Sequence, residues 1–272
     1  MESLAVNPGA PVASLRGVTV RFGGRSAAAA TVLRDFSLDV APGEFLVIVG
    51  RSGCGKTTVL NLLAGLLDAS AGAVTVMGKP PRAARNHLGY MFARDALVPS
   101  RSALGNVEIG LEVRGVDRAE RRARAHELMK RLGLAGVEAR YPWQLSQGMR
   151  QRVALARTWA LDPDLILMDE PFAALDAQTR ESARAQFLEL WERTRSSVIF
   201  VTHDLTEGLL LGDRLIVMAP GGRIVEDLRL PFAHPRNAHD LPFTDEFRTL
   251  ERRLRDRLGE EIEGSREPPI SS

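Results

Sequence analysis

The sequence predicts an α/β fold in which a parallel sheet is preceded by an N-terminal antiparallel β layer and interrupted by an inserted α-helical subdomain. Three observations carry this. Leu15, Val18, Val20 and Phe22, then Leu33, Phe36, Leu38 and Val40, alternate as half-buried antiparallel strands do, with a Gly- and Ala-rich loop between them. Phe45, Leu46, Val47, Ile48 and Val49 form a continuous apolar run, the pattern of a strand buried on both faces of a parallel sheet. A glycine-rich loop follows, then Val59, Leu60, Leu62, Leu63, Leu66 and Leu67 at helical spacing.

The remaining elements extend this plan. Leu165 to Met168 and Val198 to Val201 repeat the buried-strand pattern. Leu215 to Met218, a Pro220-Gly221-Gly222 turn and Ile224-Val225 read as a terminal hairpin. Residues 89–161 are helical in character, and 114–131 crowd arginines onto one predicted helix whose buried side is Leu128, Met129 and Leu132. No aromatic residues interleave with that charge, so a solvated helix face is the preferred reading over a nucleic-acid arm. The boundaries expected are a flexible N-terminus over 1–13, a main domain over 14–230 and a C-terminal extension over 231–272. In the extension, Pro231, His234, Pro235 and Pro242 mark a linker, Phe247, Leu250, Leu254 and Leu258 keep helical spacing, and 260–272 reads as a disordered polar tail.

Composition excludes several classes. The chain has 272 residues and is 44% hydrophobic, enough for a sizeable core. No run approaches the roughly 18 apolar residues of a spanning helix, and the N-terminal segment lacks a signal-peptide order, so a cytoplasmic or peripheral protein is expected. The single cysteine, Cys54, leaves no internal disulfide framework. A net charge of +2 gives no argument for nucleic acid.

The strongest motif is Gly50-Arg51-Ser52-Gly53-Cys54-Gly55-Lys56-Thr57, a full G-x-x-x-x-G-K-T match between strand and helix. Glycines let successive N–H groups face phosphate oxygens, the helix N-terminus adds partial positive charge, and Lys56 reaches the β and γ phosphates. Thr57 is the expected Mg²⁺ ligand, Thr58 the next nucleotide-binding position, and Cys54 fills a permissive place in the loop. A metal-side carboxylate is supplied by Asp169, at the end of the strand that Leu165 begins. Glu170 follows it as a candidate general base. His203 ends a third apolar strand, at the sheet edge where α/β folds bind ligands, in position to sense a γ-phosphate.

Leu145-Ser146-Gln147-Gly148-Met149, followed by Arg150-Gln151-Arg152, opens a predicted helix. Ser146 at its start offers unpaired N–H groups and a hydroxyl, which suit an anion. Phosphate loop, LSQGM, LILMDEP, Ala174-Leu175-Asp176 and His203 occur in the order seen in ABC ATPases. Over roughly 14–229 the chain resembles that family, especially ATP-binding subunits of the nitrate, sulfonate and taurine importers.

The resemblance implies a P-loop NTPase core that binds ATP with Mg²⁺ and energises a transporter of small anions. It implies two chains sandwiching two nucleotides, with Ser146, Gln147, Gly148 and Asp176 serving the opposite subunit's ATP. Phe22 matches the aromatic position that stacks on adenine; the alternative is a core residue of the first strand. The partners implied are a second copy, a transmembrane permease and, indirectly, a periplasmic or lipid-anchored solute-binding protein, with no nucleic acid. The location implied is peripheral, at the cytoplasmic face of the inner membrane.

Two departures from the family pattern stand out. Gln147 and Met149 replace the glycine and glutamine of the usual LSGGQ, and Ala93 stands where the family carries a glutamine that touches the metal or the attacking water. Arg94, Asp95 or water is expected to cover part of that role. A DNA-repair or translation ATPase of the same class would show two cassettes, a coiled coil or a zinc hook. The other alternative is a regulatory subunit that hydrolyses weakly.

Overall fold

The structure, a computed structural model, describes residues 10–23 and 30–264, with side chains to 259. Residues 1–9, the Gly/Ala-rich 24–29 and the tail 265–272 lie outside the described residues. Strands β1 (Ala13–Phe22) and β2 (Ala30–Val40) pair antiparallel. Strand β3 (Phe45–Gly50) leads through the glycine loop into helix α1 (Lys56–Leu63). Strand β4 (Ala71–Val76) returns to pair with β1, giving a three-stranded sheet in the order β2-β1-β4.

Strand β5 (Leu88–Met91) precedes three helices, α2 (Ala103–Val113), α3 (Arg118–Arg131) and α4 (Gln147–Trp159). Then come β6 (Leu165–Asp169), α5 (Ala177–Thr194), β7 (Ser197–Thr202), α6 (Leu205–Leu211), β8 (Arg214–Ala219), β9 (Arg223–Arg229) and α7 (Asp245–Gly264). The second sheet runs β5-β6-β7-β3-β8-β9, parallel except for β9, which forms the expected hairpin with β8.

The continuous apolar runs are explained by two cores, one on each face of this sheet. Leu46, Ile48, Leu165, Leu167, Ile199 and Val201 face α1 and the three-stranded sheet. Phe45, Val47, Ile166, Met168, Val198 and Phe200 face the helices, where Phe45 meets Phe187 and Trp191 edge-on. Each fully buried side chain of this kind contributes about 1.5–3 kcal/mol, so a polar residue on either face would be costly.

The structure corrects several boundaries. Helix α1 stops at Leu63, because Gly65 takes φ 66°, and Leu66 is exposed despite its helical spacing. Residues 89–91 belong to β5 in the main sheet, so the helical insertion begins after them. The arginine-rich run is broken at Gly115, and α3 starts after Asp117, whose carboxylate accepts from the Ala119 and Glu120 N–H groups. Glu120–Arg124 and Glu127–Arg131 pair along its exposed side.

Val12 and Ala13, expected in the flexible N-terminus, are buried, and the Val12 N–H donates to Val40 O at 2.8 Å. The C-terminal linker is also packed in. Leu230 and Phe232 join the helix-side core with Phe247 and Leu254 of α7. His234 lies buried between Glu192 and Asp213, edge-on to Trp191. The α7 backbone stays helical through Gly264, five residues into the stretch expected as a disordered tail.

Candidate active site

The central strands bring three sequence-predicted groups to one edge of the sheet. β3 leads into the phosphate loop, β6 ends in Asp169 with Glu170 directly after it, β7 ends in Thr202 with His203 directly after it, and β7 sits between β6 and β3. The loop's shape depends on its glycines. Gly55 has φ 108°, and a Cβ there would meet Leu33 Cδ2 at 2.7 Å; one on Gly50 would meet Met218 O at 2.3 Å. Arg51, Ser52 and Gly53 are exposed at the rim. Cys54 is 1% exposed and burial pushes its thiol pKa up, as expected of a packing residue and unlike a reactive thiolate.

Lys56 is 5% exposed, and its ammonium donates to Gly50 O at 2.7 Å and Arg51 O at 3.0 Å. The loop thus curls around its own lysine, which also lies 3.9 Å from Glu170 Oε1. Thr57 donates through Oγ1 to Asp169 Oδ1 at 3.1 Å. Burial raises the Asp169 pKa, against the lowering effect of the Thr57 hydrogen bond. Glu170 takes φ 45°, rare for a residue with a Cβ, and its N–H donates to Val201 O at 2.9 Å. Its Oε2 lies 2.9 Å from His203 Nδ1, so lysine and histidine flank one carboxylate. Thr58 is half-buried in the first turn of α1.

A hydroxyl and a carboxylate side by side are hard oxygen donors of the kind Mg²⁺ prefers. Among the described residues no cluster of three or more His, Cys, Asp or Glu groups could cage a metal alone. The Thr57–Asp169 pair suits a cation that takes one or two protein oxygens together with phosphates. Thr57 and Asp169 therefore fit the group.

A second cluster forms at the start of α4. Ser146 caps the helix by accepting from Met149 N at 3.2 Å. Gln147, in place of a glycine, turns its side chain to Ala174 O at 2.6 Å, which draws the amide away from the helix end. Gly148 is required by packing, since a Cβ there would lie 2.5 Å from Thr179 Cγ2. Asp176 caps α5 through Thr179 N at 3.0 Å, and the Thr179 hydrogen bonds hold its pKa down. Ser146, Gln147, Gly148 and Asp176 thus form one unit, bonded within itself and built on different elements from the phosphate loop.

Phe22 is 46% exposed, so the core reading of this residue is set aside. It pairs with Ala30 on β2, and Val32 and Leu33, a little further along β2, touch Gly55. Ala93 is exposed two residues beyond β5. Asp95 pairs with Arg150 at 2.9 Å, and Arg157 donates to the Asp95 and Ala96 carbonyls. The loop is thus tied to α4.

Sequence reasoning missed Tyr90, whose hydroxyl donates to Asn61 Oδ1 at 3.2 Å while its ring packs on Phe92. Burial pushes its phenol pKa up. Its position one residue before the end of a four-residue strand gave no periodic signal.

Comparison with known proteins agrees with this geometry. The sequence profile of the family described as "ABC transporter" matches residues 33–173. The chain is similar to a Taurine import ATP-binding protein TauB of Yersinia pestis bv. Antiqua, 45% identical over 201 residues, covering 74% of this chain and 79% of that one. It is 48% identical over 206 residues to the protein of the same name from Pseudomonas fluorescens, covering 75% and 78%.

Among solved structures it resembles the dimeric, post-hydrolysis ATP-binding cassette MJ0796 bound to ADP and phosphate. The TM-score is 0.73 and the identity 32%, over 81% of this chain and 100% of that one. No helix among the described residues is long and apolar enough to cross a membrane. The matched region runs from β2 through the phosphate loop and the α4 signature to both strand-end acids, and on that evidence this chain belongs to the ABC transporter family.

Proposed function

We propose that the chain is the ATP-hydrolysing subunit of an importer of small anions, with a sulfonate such as taurine favoured by the names of its relatives. The observation that supports hydrolysis most is Glu170, held 2.9 Å from His203 Nδ1 and 3.9 Å from the Lys56 ammonium. ATP lies with its phosphates along residues 50–58 and its adenine against Phe22. Lys56 leaves its loop carbonyls to neutralise charge on the β and γ phosphates. Thr57 and Asp169 would hold Mg²⁺, which would supply further charge neutralisation when bound.

Water attacks the γ-phosphorus, the bond to the bridging oxygen breaks, and Glu170 takes the water's proton. His203 orients Glu170 through Nδ1 and meets a γ-phosphate oxygen through Nε2. As the resemblance to dimeric ATP-binding cassettes implies, a second copy closes over the nucleotide with Ser146, Gly148 and Asp176, whose helix N-terminus suits an anion. A membrane permease converts closing and reopening into movement of the solute, which a separate solute-binding protein delivers. Steady-state hydrolysis by the purified chain, alone and with its permease, tests the reading against Glu170→Gln. A wild-type rate no higher than that of the variant leaves only the weakly hydrolysing regulatory reading.

A further inference from the structure

Among the described residues, Glu207 is a buried acid near the site that the proposed mechanism does not use. It is 3% exposed in the first turn of α6, and its Oε1 is buried with no hydrogen-bond partner among the described residues. Its other oxygen, Oε2, accepts from Thr202 Oγ1 at 2.6 Å, and both groups are buried. The Thr202 hydroxyl in turn accepts from Asp204 N at 3.0 Å, and Asp204 Oδ1 accepts from Glu207 N at 3.2 Å. These three bonds close a ring over residues 202–207, and the ring spans the chain position of His203.

Asp204 followed three residues later by Glu207 is the pattern of a capping box, in which the acid reaches back to the cap residue's own N–H. Here that N–H goes to Thr202, and the Glu207 carboxylate takes the Thr202 hydroxyl instead. Burying a carboxylate with one oxygen unpaired is costly, and a cap does not need it. Arg180 and Arg184 of α5 and Asp204 are the charged groups that act on it, and burial dominates its environment. Outside the ring, the His203 side chain is 58% exposed and pairs with Glu170. With the imidazole largely exposed, the hydrogen bonds that hold the backbone on either side of it are the contacts that bear on its position besides Glu170.

We propose that Glu207 is a positioning residue for hydrolysis, acting through the Thr202 hydroxyl to hold His203 against Glu170. The inference rests on the assignment of His203 to hydrolysis. A misplacement of about 1 Å at a reacting group can cost up to about 100-fold in rate. Glu207→Ala should therefore lower kcat roughly 10- to 100-fold while the KM for ATP stays within about twofold. Glu207→Gln keeps an acceptor for Thr202 and should recover most of the rate. Thr202→Val removes the same link without touching the acid, and carries the test if Glu207→Ala does not fold.

The deciding measurement is non-additivity. In a His203→Ala background, Glu207→Ala and Thr202→Val should cost less than about twofold further. Equal losses in both backgrounds, or a Glu207→Ala kcat within twofold of the parent, would overturn the proposal. His203→Ala hydrolysing at the parental rate overturns the assignment of His203 itself, a separate outcome read from the single variant.

Discussion

Replacing Gly148 by alanine adds one methyl group at the start of α4. The new Cβ would lie 2.5 Å from Thr179 Cγ2 but 3.8 Å and 4.0 Å from Thr179 Cβ and Oγ1, so the clash is with a single methyl. Thr179 cannot rotate away cheaply, because it is stiff at χ1 and its hydrogen bonds to Asp176 fix it. Overpacking of this kind costs about 1–3 kcal/mol, while alanine's helix propensity returns up to about 1 kcal/mol. The net loss expected is about 1–2 kcal/mol, a fall in Tm of roughly 2–8 °C for a chain of this size.

Thr179→Ser removes the offending methyl and keeps the hydroxyl, so the double variant should melt at or above the Thr179→Ser single variant. Thermal unfolding of the four proteins is the assay, with ATP hydrolysis as a second readout. Hydrolysis should fall in Gly148→Ala, because α4 is pushed off the Asp176 turn, and return in the double variant. A Gly148→Ala protein that melts like the parent, or a loss that Thr179→Ser leaves untouched, refutes the reasoning.

Phe22→Ala should leave stability within about 0.5 kcal/mol, since the ring is exposed, and weaken ATP binding by about 1–3 kcal/mol if the ring stacks on adenine. Nucleotide titration beside denaturant unfolding reads both. For Asp169, burial sets the folded pKa above the unfolded one, so its charge costs stability at neutral pH, and that cost disappears as pH falls through the raised value. Asp169→Asn should therefore raise the Tm of the nucleotide-free protein near neutral pH, by less and less on acidification, while lowering hydrolysis. A gain that does not shrink toward about pH 4 contradicts the assignment. Phe247 is 1% exposed in the shared core, so Phe247→Ala should cost about 3–5 kcal/mol in denaturant unfolding, and a loss below 1 kcal/mol would make the extension separable.

The parts legible in the sequence were those whose physics is local. The phosphate loop is eight consecutive residues, and Asp169, Glu170 and His203 follow apolar runs that announce the strands before them. Elements defined by distant partners were not legible. Strand β4 contains a glycine, Gly72, leaves its first three residues exposed, and exists by pairing with β1. Strand β5 has four residues and is recognisable only beside β6. His234 read as part of a linker because nothing near it in sequence signals Trp191, Glu192 or Asp213. Leu66 misled for the opposite reason, since its helical spacing is local and the Gly65 turn overrides it.

The central claim is that two copies of this chain close over ATP and that Glu170 reopens them by hydrolysis. Glu170→Gln keeps the shape of the side chain and removes its basicity, so the closed state should accumulate. Light scattering on that variant should give a dimer mass with Mg²⁺ and ATP, and a monomer mass with ADP or without nucleotide. A mass that does not respond to ATP contradicts the account.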